Sequence, residues 1–254
     1  PQVESYSIDE SFLNLAGYAD ASAYGHLIRQ RLRQDIKVTC GVGIGPTKTL
    51  SKFANHLAKK NAEFGGVFNT LDHTPEDMNR WMAAYPVSEV WGVGRQLTKR
   101  LGEDGIETVL DLAHCDGVSI RKRYGIVLEK TVRELRGESC LSFEDVGQPK
   151  QQIMASRSFG TTVSDPHAIK AALTHHISRA AEKLRAQQSV CANVYVMLRT
   201  NPFREQDQQY RRTTLVPLDH ASADTGVLMK AALKGLRQIF VPGLKYHKCG
   251  VMLG

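Results

Sequence analysis

The sequence of 254 residues lacks the features of several large protein classes. No apolar run approaches the roughly 18–20 residues that a membrane-spanning helix needs, and no secretory signal peptide opens the chain. Internal repeats and low-complexity tracts are also absent. Hydrophobic residues at 42% and charged residues at 23% are typical of globular domains. The first residue is Pro1 rather than Met, so we expect the chain to begin inside a longer protein.

Cysteine is scarce and has no pairing pattern. The five cysteines are odd in number and show no C-x-x-C spacing, which argues against a disulfide framework or a zinc site. We therefore expect a cytoplasmic, reducing location. The adjacent His175 and His176 have no partner ligands at metal-site spacing, and we predict them to be exposed histidines on a helix.

Positive charge is concentrated in the C-terminal part of the chain. The formal net charge is +7, and residues 150–254 carry 15 Lys and Arg against 6 Asp and Glu, a net +9. Residues 1–149 carry 18 against 20, a net −2. A basic surface attracts polyanions because they release counterions on binding, so nucleic acid is the leading candidate partner. A basic domain that is merely solvated is the alternative.

Residues 1–75 alternate strand and helix signals, which is typical of a mixed α/β sheet layer. The predicted strands span residues 7–15, 37–44 and 65–68, and the predicted helices span residues 20–35 and 46–60. The apolar positions expected to face inward from the first helix are Leu27, Ile28, Leu32 and Ile36.

The remainder of the chain changes character twice. Residues 76–141 show short helical segments between glycine turns, which predicts a small helical domain. Residues 142–149 have the composition of a linker. Residues 150–254 follow the order β-α-β-β-α-β of the split motif, so the predicted fold class is multidomain α+β.

Asp9 and Glu10 form an acidic pair beside the apolar Ile8 and Phe12, whose side chains we expect to be buried. Carboxylates next to apolar strand residues are costly unless a cation compensates them, and Mg²⁺ prefers a few carboxylates plus phosphate oxygens. Neighbours on a regular strand face opposite ways, so both reach one metal ion only near a strand end or a twist. A solvated strand end is the plainer interpretation of the pair taken alone.

The helix after Pro46 has two faces. Its predicted buried positions recur at helical spacing and are Leu50, Phe53, Ala54 and Leu57. Its second stripe is formed by Lys48, Lys52, Asn55 and Lys59. Three lysines on one face fit a triphosphate or a DNA backbone, and equally a solvated basic surface. The preceding glycines are Gly41, Gly43 and Gly45. The phosphate-loop pattern is absent around them, so we predict that they serve backbone packing and the turn into the helix.

The segment VSEVWGVGRQLTKRL at residues 87–101 contains a turn of the form Gly-Val-Gly at Gly92–Gly94, followed by Arg95 and Lys99. This pattern resembles the helix-hairpin-helix motif, in which a glycine turn offers backbone N–H groups to a DNA phosphate. Glycine suits that role because a Cβ atom would hold the phosphate off the backbone. A purely structural helical hairpin is the alternative.

Eight segments together resemble the Y-family translesion DNA polymerases, and most closely the UmuC type, the catalytic subunit of DNA polymerase V. They are YSIDESFLNL (6–15), CGVGIGPTKTLSKFANHLAKK (40–60), PVSEVWGVGRQLTKRL (86–101), GIETVLDLA (105–113), TVRELRGES (131–139), SRSFG (156–160), RAAEKLR (179–185) and KCGVMLG (248–254). The resemblance spans essentially the whole chain in the family's order. It implies a partial palm (1–75), a thumb with a helix-hairpin-helix motif (76–141) and a little finger (150–254).

The same resemblance implies roles for single residues. Asp9 and Glu10 match two metal-binding carboxylates that hold Mg²⁺ in a two-metal site, Asp9 bridging the metals and Glu10 positioning the metal at the primer end. Lys59 matches the lysine that contacts the incoming triphosphate, and Lys52 lies on the same stripe. The DNA-binding residues implied are Gly92, Gly94, Arg95 and Lys99.

The implied activity is error-prone, DNA-templated nucleotidyl transfer in SOS-type damage tolerance. Its implied partners are primer–template DNA, a deoxynucleoside triphosphate, a UmuD′-type accessory subunit, the RecA filament and the sliding clamp, in the nucleoid and away from membranes. The alternatives are a non-catalytic DNA-binding piece that uses thumb and little finger, and a protein-interaction piece that binds no DNA.

The family's first strand, its fingers and its clamp-binding tail have no counterpart in these 254 residues. We therefore expect the 254 residues alone not to extend a primer, because two of three carboxylates do not fix two metal ions. Template-dependent incorporation that Asp9→Ala abolishes would contradict this expectation.

Overall fold

The computed structural model of the protein describes residues 2–143 and 150–254. They form two compact units, one within residues 1–146 and the other within 147–254. Most of the linker predicted at 142–149 lies outside the described residues. All five cysteines are free, as the sequence predicted. No helix in the described part of the chain is long and apolar enough to cross a membrane.

The first unit opens with a β-hairpin instead of the single strand predicted at 7–15. Strands β1 (Val3–Ser5) and β2 (Ser11–Leu13) pair antiparallel. Residues 6–10, here called the carboxylate turn, connect them. The turn is closed by the backbone N–H groups of Tyr6 and Ser7, which donate to the carbonyl oxygen of Glu10 at 3.1 and 3.0 Å. The predicted burial of Ile8 is wrong, since its side chain is fully exposed, whereas Phe12 is buried.

Serine and aspartate account for that turn. The hydroxyl of Ser7 donates to Oδ1 of Asp9 at 2.6 Å and accepts the backbone N–H of Asp9 at 3.4 Å. Such side-chain bonds to nearby groups compete with a regular strand and favour turns.

A β-α-β unit follows the first helix, α1 (Ala21–Asp35). It consists of β3 (Val42–Ile44), α2 (Lys48–Lys60) and β4 (Val67–Asn69), with the two strands parallel. A Cβ atom on Gly43 would collide with backbone atoms of Ser51 and Asn55 in α2. The glycine therefore lets α2 lie directly against β3, which is the packing role predicted from the sequence.

Helix α1 is less buried than its pattern predicted. Only Gly25 is buried, against Val42 and Val67, whereas Leu27 and Ile36 are exposed. Ile28 and Leu32 lie three and seven positions after Gly25 and are half-buried. Leu27 lies two positions after Gly25 and therefore on another face of the helix, and Ile36 follows the last residue of α1.

Five short helices complete the first unit, as predicted. They are α3 (Pro75–Ala84), α4 (Arg95–Glu103), α5 (Val109–His114), α6 (Gly117–Tyr124) and α7 (Ile126–Leu135). Capping boxes begin α3 at Thr74 and α5 at Thr108. The apolar core of these helices is continuous with the buried face of α2, through residues such as Phe53 and Leu101. The division into palm and thumb at residue 75 remains a proposal.

A buried carboxylate ties α2 to the helical region. Glu134 in α7 is fully buried. Its Oε2 atom accepts the backbone N–H and the hydroxyl of Thr49 at 2.9 and 2.8 Å. Its Oε1 atom accepts the backbone N–H groups of Cys140 and Leu141, both at 3.0 Å. The charge is therefore satisfied by four donors, and one of them is an N–H of the first turn of α2, where a negative charge is favourable.

The second unit confirms the predicted β-α-β-β-α-β order. Its elements are β5 (Ile153–Val163), α8 (Pro166–Ala186), β6 (Cys191–Thr200), β7 (Arg211–Ser222), α9 (Thr225–Ile239) and β8 (Tyr246–Leu253). The sheet order is β5-β8-β6-β7, all antiparallel, so β8 separates β5 from β6. Both helices cover one face of the sheet and form an apolar core with it. The multidomain α+β class is confirmed.

One histidine in α8 departs from the prediction. His175 is exposed as expected, but His176 is buried. Burial lowers the pKa of His176 because the charged form loses hydration. The residue lies three positions after Leu173 and one before Ile177, on the apolar stripe of the helix.

We predict that Glu134→Gln lowers the free energy of unfolding of the first unit by about 2 kcal/mol or more, since an amide nitrogen would face backbone donors that need an acceptor. The measurement is denaturant unfolding followed by tryptophan fluorescence. Both tryptophans, Trp81 and Trp91, belong to this unit.

The matched control is Glu138→Gln, which removes an exposed carboxylate paired with Arg133. We expect it to lower the free energy of unfolding much less than Glu134→Gln does, because water and salt screen an exposed ion pair. Equal effects of the two substitutions would contradict a special role for Glu134.

We also predict that the amides of α1 and of the β1–β2 hairpin exchange hydrogen faster than those of β6 and β8. A two-stranded hairpin and a helix with one buried residue open locally at little cost, whereas β6 and β8 are paired on both sides. Hydrogen exchange read by mass spectrometry checks this. Uniform protection across the two units would contradict it.

Candidate active site and nucleic-acid interface

Two lysine–carboxylate pairs hold the hairpin on α2. Lys48 Nζ lies 2.6 Å from Glu4 Oε2, and Lys52 Nζ lies 2.6 Å from Glu10 Oε1. The two lysines are four residues apart on one face of α2, so they meet carboxylates at two places on the hairpin. The lysine stripe predicted from the sequence therefore exists and faces the carboxylate turn.

The two pairs differ in environment. Lys48 is 8% exposed; it also donates to the carbonyl of Ser142 at 2.7 Å and lies over the rings of Phe12 and Phe143. Its surroundings are those of a structural ion pair. Lys52 and Glu10 keep 20% and 32% of their side chains exposed. The outer pair is thus open to exchange with a solute.

Asp9 is exposed at the tip of the carboxylate turn. The hydroxyl of Ser7 holds the pKa of Asp9 below its ordinary value, and the positive charges of Lys59 and Lys52 act in the same direction. The carboxylate is therefore ionised at neutral pH. Of the predicted site residues, Lys52 pairs directly with Glu10, and the charges of Lys59 and Lys52 act on the neighbouring Asp9.

Gly41 in the segment before β3 makes room for Lys59. A Cβ atom on Gly41 would lie 2.9 Å from Cγ and 3.0 Å from Cε of Lys59. The aliphatic stem of the exposed lysine thus runs over the glycine, and its ammonium group remains at the surface. Glycine at 41 is a site residue that the sequence pattern assigned only to packing.

The donor set of the carboxylate turn fits Mg²⁺ that arrives with phosphate. Within residues 2–143 and 150–254, no group of three or more His, Cys, Asp or Glu side chains could hold a metal ion. Mg²⁺ is commonly bound by one or two carboxylates with substrate phosphates and water completing its shell. Asp9 and Glu10 supply such a pair, with two lysines beside it for the phosphate charge.

An aromatic contact joins the carboxylate turn to the glycine turn at Gly92–Gly94. Trp91 Nε1 donates to the hydroxyl of Tyr6 at 3.2 Å. The Trp91 ring centroid lies 5.3 Å from that of Tyr6 and 5.7 Å from that of Phe12. Sequence reasoning missed Trp91, because its partner Tyr6 lies 85 residues earlier in the chain.

The glycine turn has the predicted shape. Gly92 has φ +90°, and Gly94 precedes α4 without a side-chain cap. No atom lies within 4 Å of a Cβ built on either glycine, so the turn is open on its outer side. Arg95 and Lys99 are exposed beside it. The helix before the turn is a single 3₁₀ turn at Val87–Glu89.

The open face of the second unit carries a row of three cations, here called the basic row. Strand register places Lys248 of β8 opposite Arg199 of β6, and Arg199 opposite Arg211 of β7. Their neighbours Leu198 and Cys249 are fully buried under the helices, so alternation points the cations to the other face. Like charges directly opposite one another are unfavourable, and a bound polyanion relieves them.

Two family models match the chain. The impB/mucB/samB family matches residues 1–56, and the impB/mucB/samB family C-terminal domain matches residues 150–254. Protein SamB of Salmonella typhimurium is 42% identical over 256 residues, covering 100% of this chain and 60% of the relative. Protein UmuC of Salmonella typhimurium strain LT2 is 42% identical over 258 residues, covering 100% and 61%. The chain thus spans about 60% of the length of these curated relatives.

Solved structures share the fold. A Y-family DNA polymerase chimera of Dbh and Dpo4 superposes with a TM-score of 0.70 at 19% identity, covering 99% of this chain and 70% of that chain. A post-insertion binary complex of Dbh DNA polymerase gives a TM-score of 0.52 at 19% identity, covering 99% and 71%. At this identity the likeness extends to the fold alone.

We predict that Ser7→Ala raises the pKa of Asp9 toward its ordinary value, because the largest cause of the lowering is the hydrogen bond from Ser7. Carboxyl carbon shifts followed by NMR between about pH 2 and pH 6 measure this. Asp116, whose pKa is lowered by hydrogen bonds from Ser119, serves as the internal control and should not change. An unchanged Asp9 would show that the Ser7 bond is not formed in solution.

Proposed function

Because the chain belongs to the impB/mucB/samB family, the UmuC type of Y-family DNA polymerases, we propose that its protein carries out error-prone translesion DNA synthesis. The reaction is DNA-templated nucleotidyl transfer. The observation that supports the proposal most is the ion pair of Glu10 with Lys52 beside the exposed Asp9, on which the charges of Lys59 and Lys52 also act. Carboxylates for a divalent metal beside cations for a triphosphate are the parts that phosphoryl transfer needs.

Each residue of the site has a distinct task. Asp9 is ionised and exposed, so it would hold Mg²⁺ without rearrangement. Glu10 would join it when its partner Lys52 turns to the phosphate oxygens of the incoming nucleotide. Lys59 would bind the same phosphates from the next turns of α2. Bound Mg²⁺ would neutralise negative charge on the triphosphate.

When Lys52 and Glu10 exchange partners in this way, each of them would keep a partner of opposite charge. In the described state Lys52 neutralises Glu10 at 2.6 Å. In the substrate-bound state the metal would neutralise Glu10, and the triphosphate would neutralise Lys52. Neither group is left buried and unpaired, since both sit at a partly exposed position.

Primer–template DNA would contact two surfaces, one in each unit. The backbone N–H groups of the glycine turn would bind a phosphate, with Arg95 and Lys99 nearby. The basic row of the second unit would lie along the backbone. We extend the proposal to a nucleoid location and to a UmuD′-type subunit, the RecA filament and the sliding clamp as partners, on the family resemblance alone.

A non-catalytic, DNA-binding role is the second candidate. It is favoured by the placement of the basic row and the glycine turn, since neither contains a carboxylate of the candidate metal site. Mg²⁺-dependent nucleotide binding separates the two candidates.

We predict that Asp9→Asn weakens binding of a deoxynucleoside triphosphate at least about tenfold in the presence of Mg²⁺ and leaves Mg²⁺-free binding unchanged. Lys52→Met should weaken both, because it removes a direct phosphate contact. Isothermal titration calorimetry measures each affinity. Asp35→Asn and Lys60→Met, at exposed positions on α1 and α2, are matched controls. Binding by Asp9→Asn equal to wild type with Mg²⁺ would contradict the catalytic proposal.

We predict that Gly94→Val weakens DNA binding by about tenfold while the fold is kept. The new side chain has free space and Gly94 has φ −89°, an ordinary value, so only an approaching phosphate meets the added atoms. Fluorescence anisotropy with labelled duplex at several salt concentrations measures this, and all affinities should fall steeply with salt.

Gly102→Ala, in the last turns of the same helix and also in open space, is the control. Unchanged binding by Gly94→Val would exclude the glycine turn as a phosphate site.

A further inference from the structure

The loop that joins β6 to β7, residues 201–210, presents an aromatic side chain to solvent. Phe203 is 90% exposed and is the most exposed aromatic side chain among the described residues. Burying a phenylalanine side chain contributes about 2 kcal/mol of free energy, and Phe203 does not gain this stabilisation. The loop around it is, however, well ordered by its own hydrogen bonds.

One glutamine organises the loop from inside. Gln209 Nε2 lies 3.2, 2.8 and 3.1 Å from the carbonyl oxygens of Asn201, Arg204 and Asp207. Asn201 Oδ1 accepts the backbone N–H of Phe203 at 3.0 Å. The backbone on both sides of Phe203 is therefore fixed by side chains of the loop.

The base of the loop is fixed to the core of the second unit. The backbone N–H of Thr200 donates to the carbonyl of Tyr210 at 2.9 Å, and the backbone N–H of Tyr210 donates to Oγ1 of Thr200 at 2.9 Å. The hydroxyl of Tyr210 donates to the carbonyl of Ile239 at 2.6 Å. A ring held on such a support loses little conformational entropy when it binds a partner.

Cations stand at the base of the loop and next to Phe203 in the sequence. Arg199 and Arg211 of the basic row flank the loop in sequence, and Arg204 follows Phe203 directly. The loop contains two carboxylates, Glu205 and Asp207. Lys245 lies 3.6 Å from Asp207 Oδ1 and compensates that charge.

An aromatic platform beside a row of cations is the combination that binds single-stranded nucleic acid. Bases stack on the ring, and phosphates follow the cations. Duplex DNA offers phosphates but keeps its bases stacked on one another, so it would use the basic row alone.

We propose that Phe203 stacks on an unpaired base of a DNA strand whose backbone follows the basic row of Lys248, Arg199 and Arg211. The proposal rests on the proposed DNA-binding function and adds a subsite for the single-stranded part of the substrate. The ring is the base platform, and the three cations are the backbone contacts.

The test compares three labelled DNAs by fluorescence anisotropy on the full chain: a blunt duplex, the same duplex with a single-stranded extension, and that extension made of abasic nucleotides. Wild type should bind the extended duplex about tenfold more tightly than the other two, as one stacked base predicts. Phe203→Ala should bind all three alike, at the wild-type affinity for the blunt duplex. Phe203→Trp should retain the preference.

Two controls separate stacking from charge and from general apolarity. Val190→Ala removes an exposed apolar side chain next to the opposite end of β6 and should behave as wild type. Arg211→Ala should weaken binding of all three DNAs and reduce the salt dependence, whereas Phe203→Ala should leave the salt dependence unchanged.

The possible outcomes distinguish the failure of stacking on Phe203 from the failure of the proposed DNA-binding function. If Phe203→Ala keeps the preference for the extended duplex, stacking on Phe203 is refuted while DNA binding stands. If wild type binds the abasic and the intact extension equally, base recognition is refuted in the same way. If wild type binds none of the DNAs at low salt, the DNA-binding function itself fails.

Discussion

The buried carboxylate of Glu134 ties the first turn of α2 to α7, and the position of α2 determines the candidate active site. Four donors converge on this one side chain, from Thr49 at the start of α2 and from the backbone of Cys140 and Leu141. A buried charge tolerates no loss of a partner, so the start of α2, α7 and the segment after α7 are fixed relative to one another. Gly43 adds a second constraint, because its missing side chain lets the middle of α2 lie on β3.

A helix fixed in this way presents its lysines at defined places. Lys48 is enclosed by Glu4, Phe12 and Phe143, and it anchors the hairpin. Lys52, one turn further, forms the same kind of pair with Glu10 at a more exposed position. The two contacts are both lysine–glutamate ion pairs, but they differ in burial. The buried Lys48–Glu4 pair is structural, and the partly exposed Lys52–Glu10 pair can exchange its partners. An exposed ion pair contributes little to stability, so its carboxylate is available to a metal at small cost.

Sequence patterns predicted the elements whose burial is periodic. The predictions for the apolar face of α2 and for the six elements of the second unit are correct because their apolar residues pack into one continuous core in each unit. The burial predicted for Ile8, Leu27 and Ile36 is wrong for a different reason in each region. Alternation at 7–15 could not reveal that Ser7 and Asp9 bond each other and bend the chain. In α1 the small Gly25 marks the buried face, which leaves Leu27 on another face, and Ile36 lies after the end of the helix. His176 lay on the apolar stripe of α8, so its burial could have been read from spacing.

Trp91 was beyond the reach of any local pattern, since its partner Tyr6 is 85 residues away. Its contacts give the two candidate ligand sites of the first unit a common support. Tyr6 begins the carboxylate turn, and Trp91 precedes the glycine turn. The indole ring of Trp91 therefore contacts the same hairpin that Lys52 binds through Glu10. Coupling between ligands requires a shared element that both contact, and the Tyr6–Trp91 contact would be such an element between the proposed nucleotide site and the proposed DNA site. Because linkage is reciprocal, any free energy by which bound DNA favoured nucleotide binding would equal the free energy by which bound nucleotide favoured DNA binding.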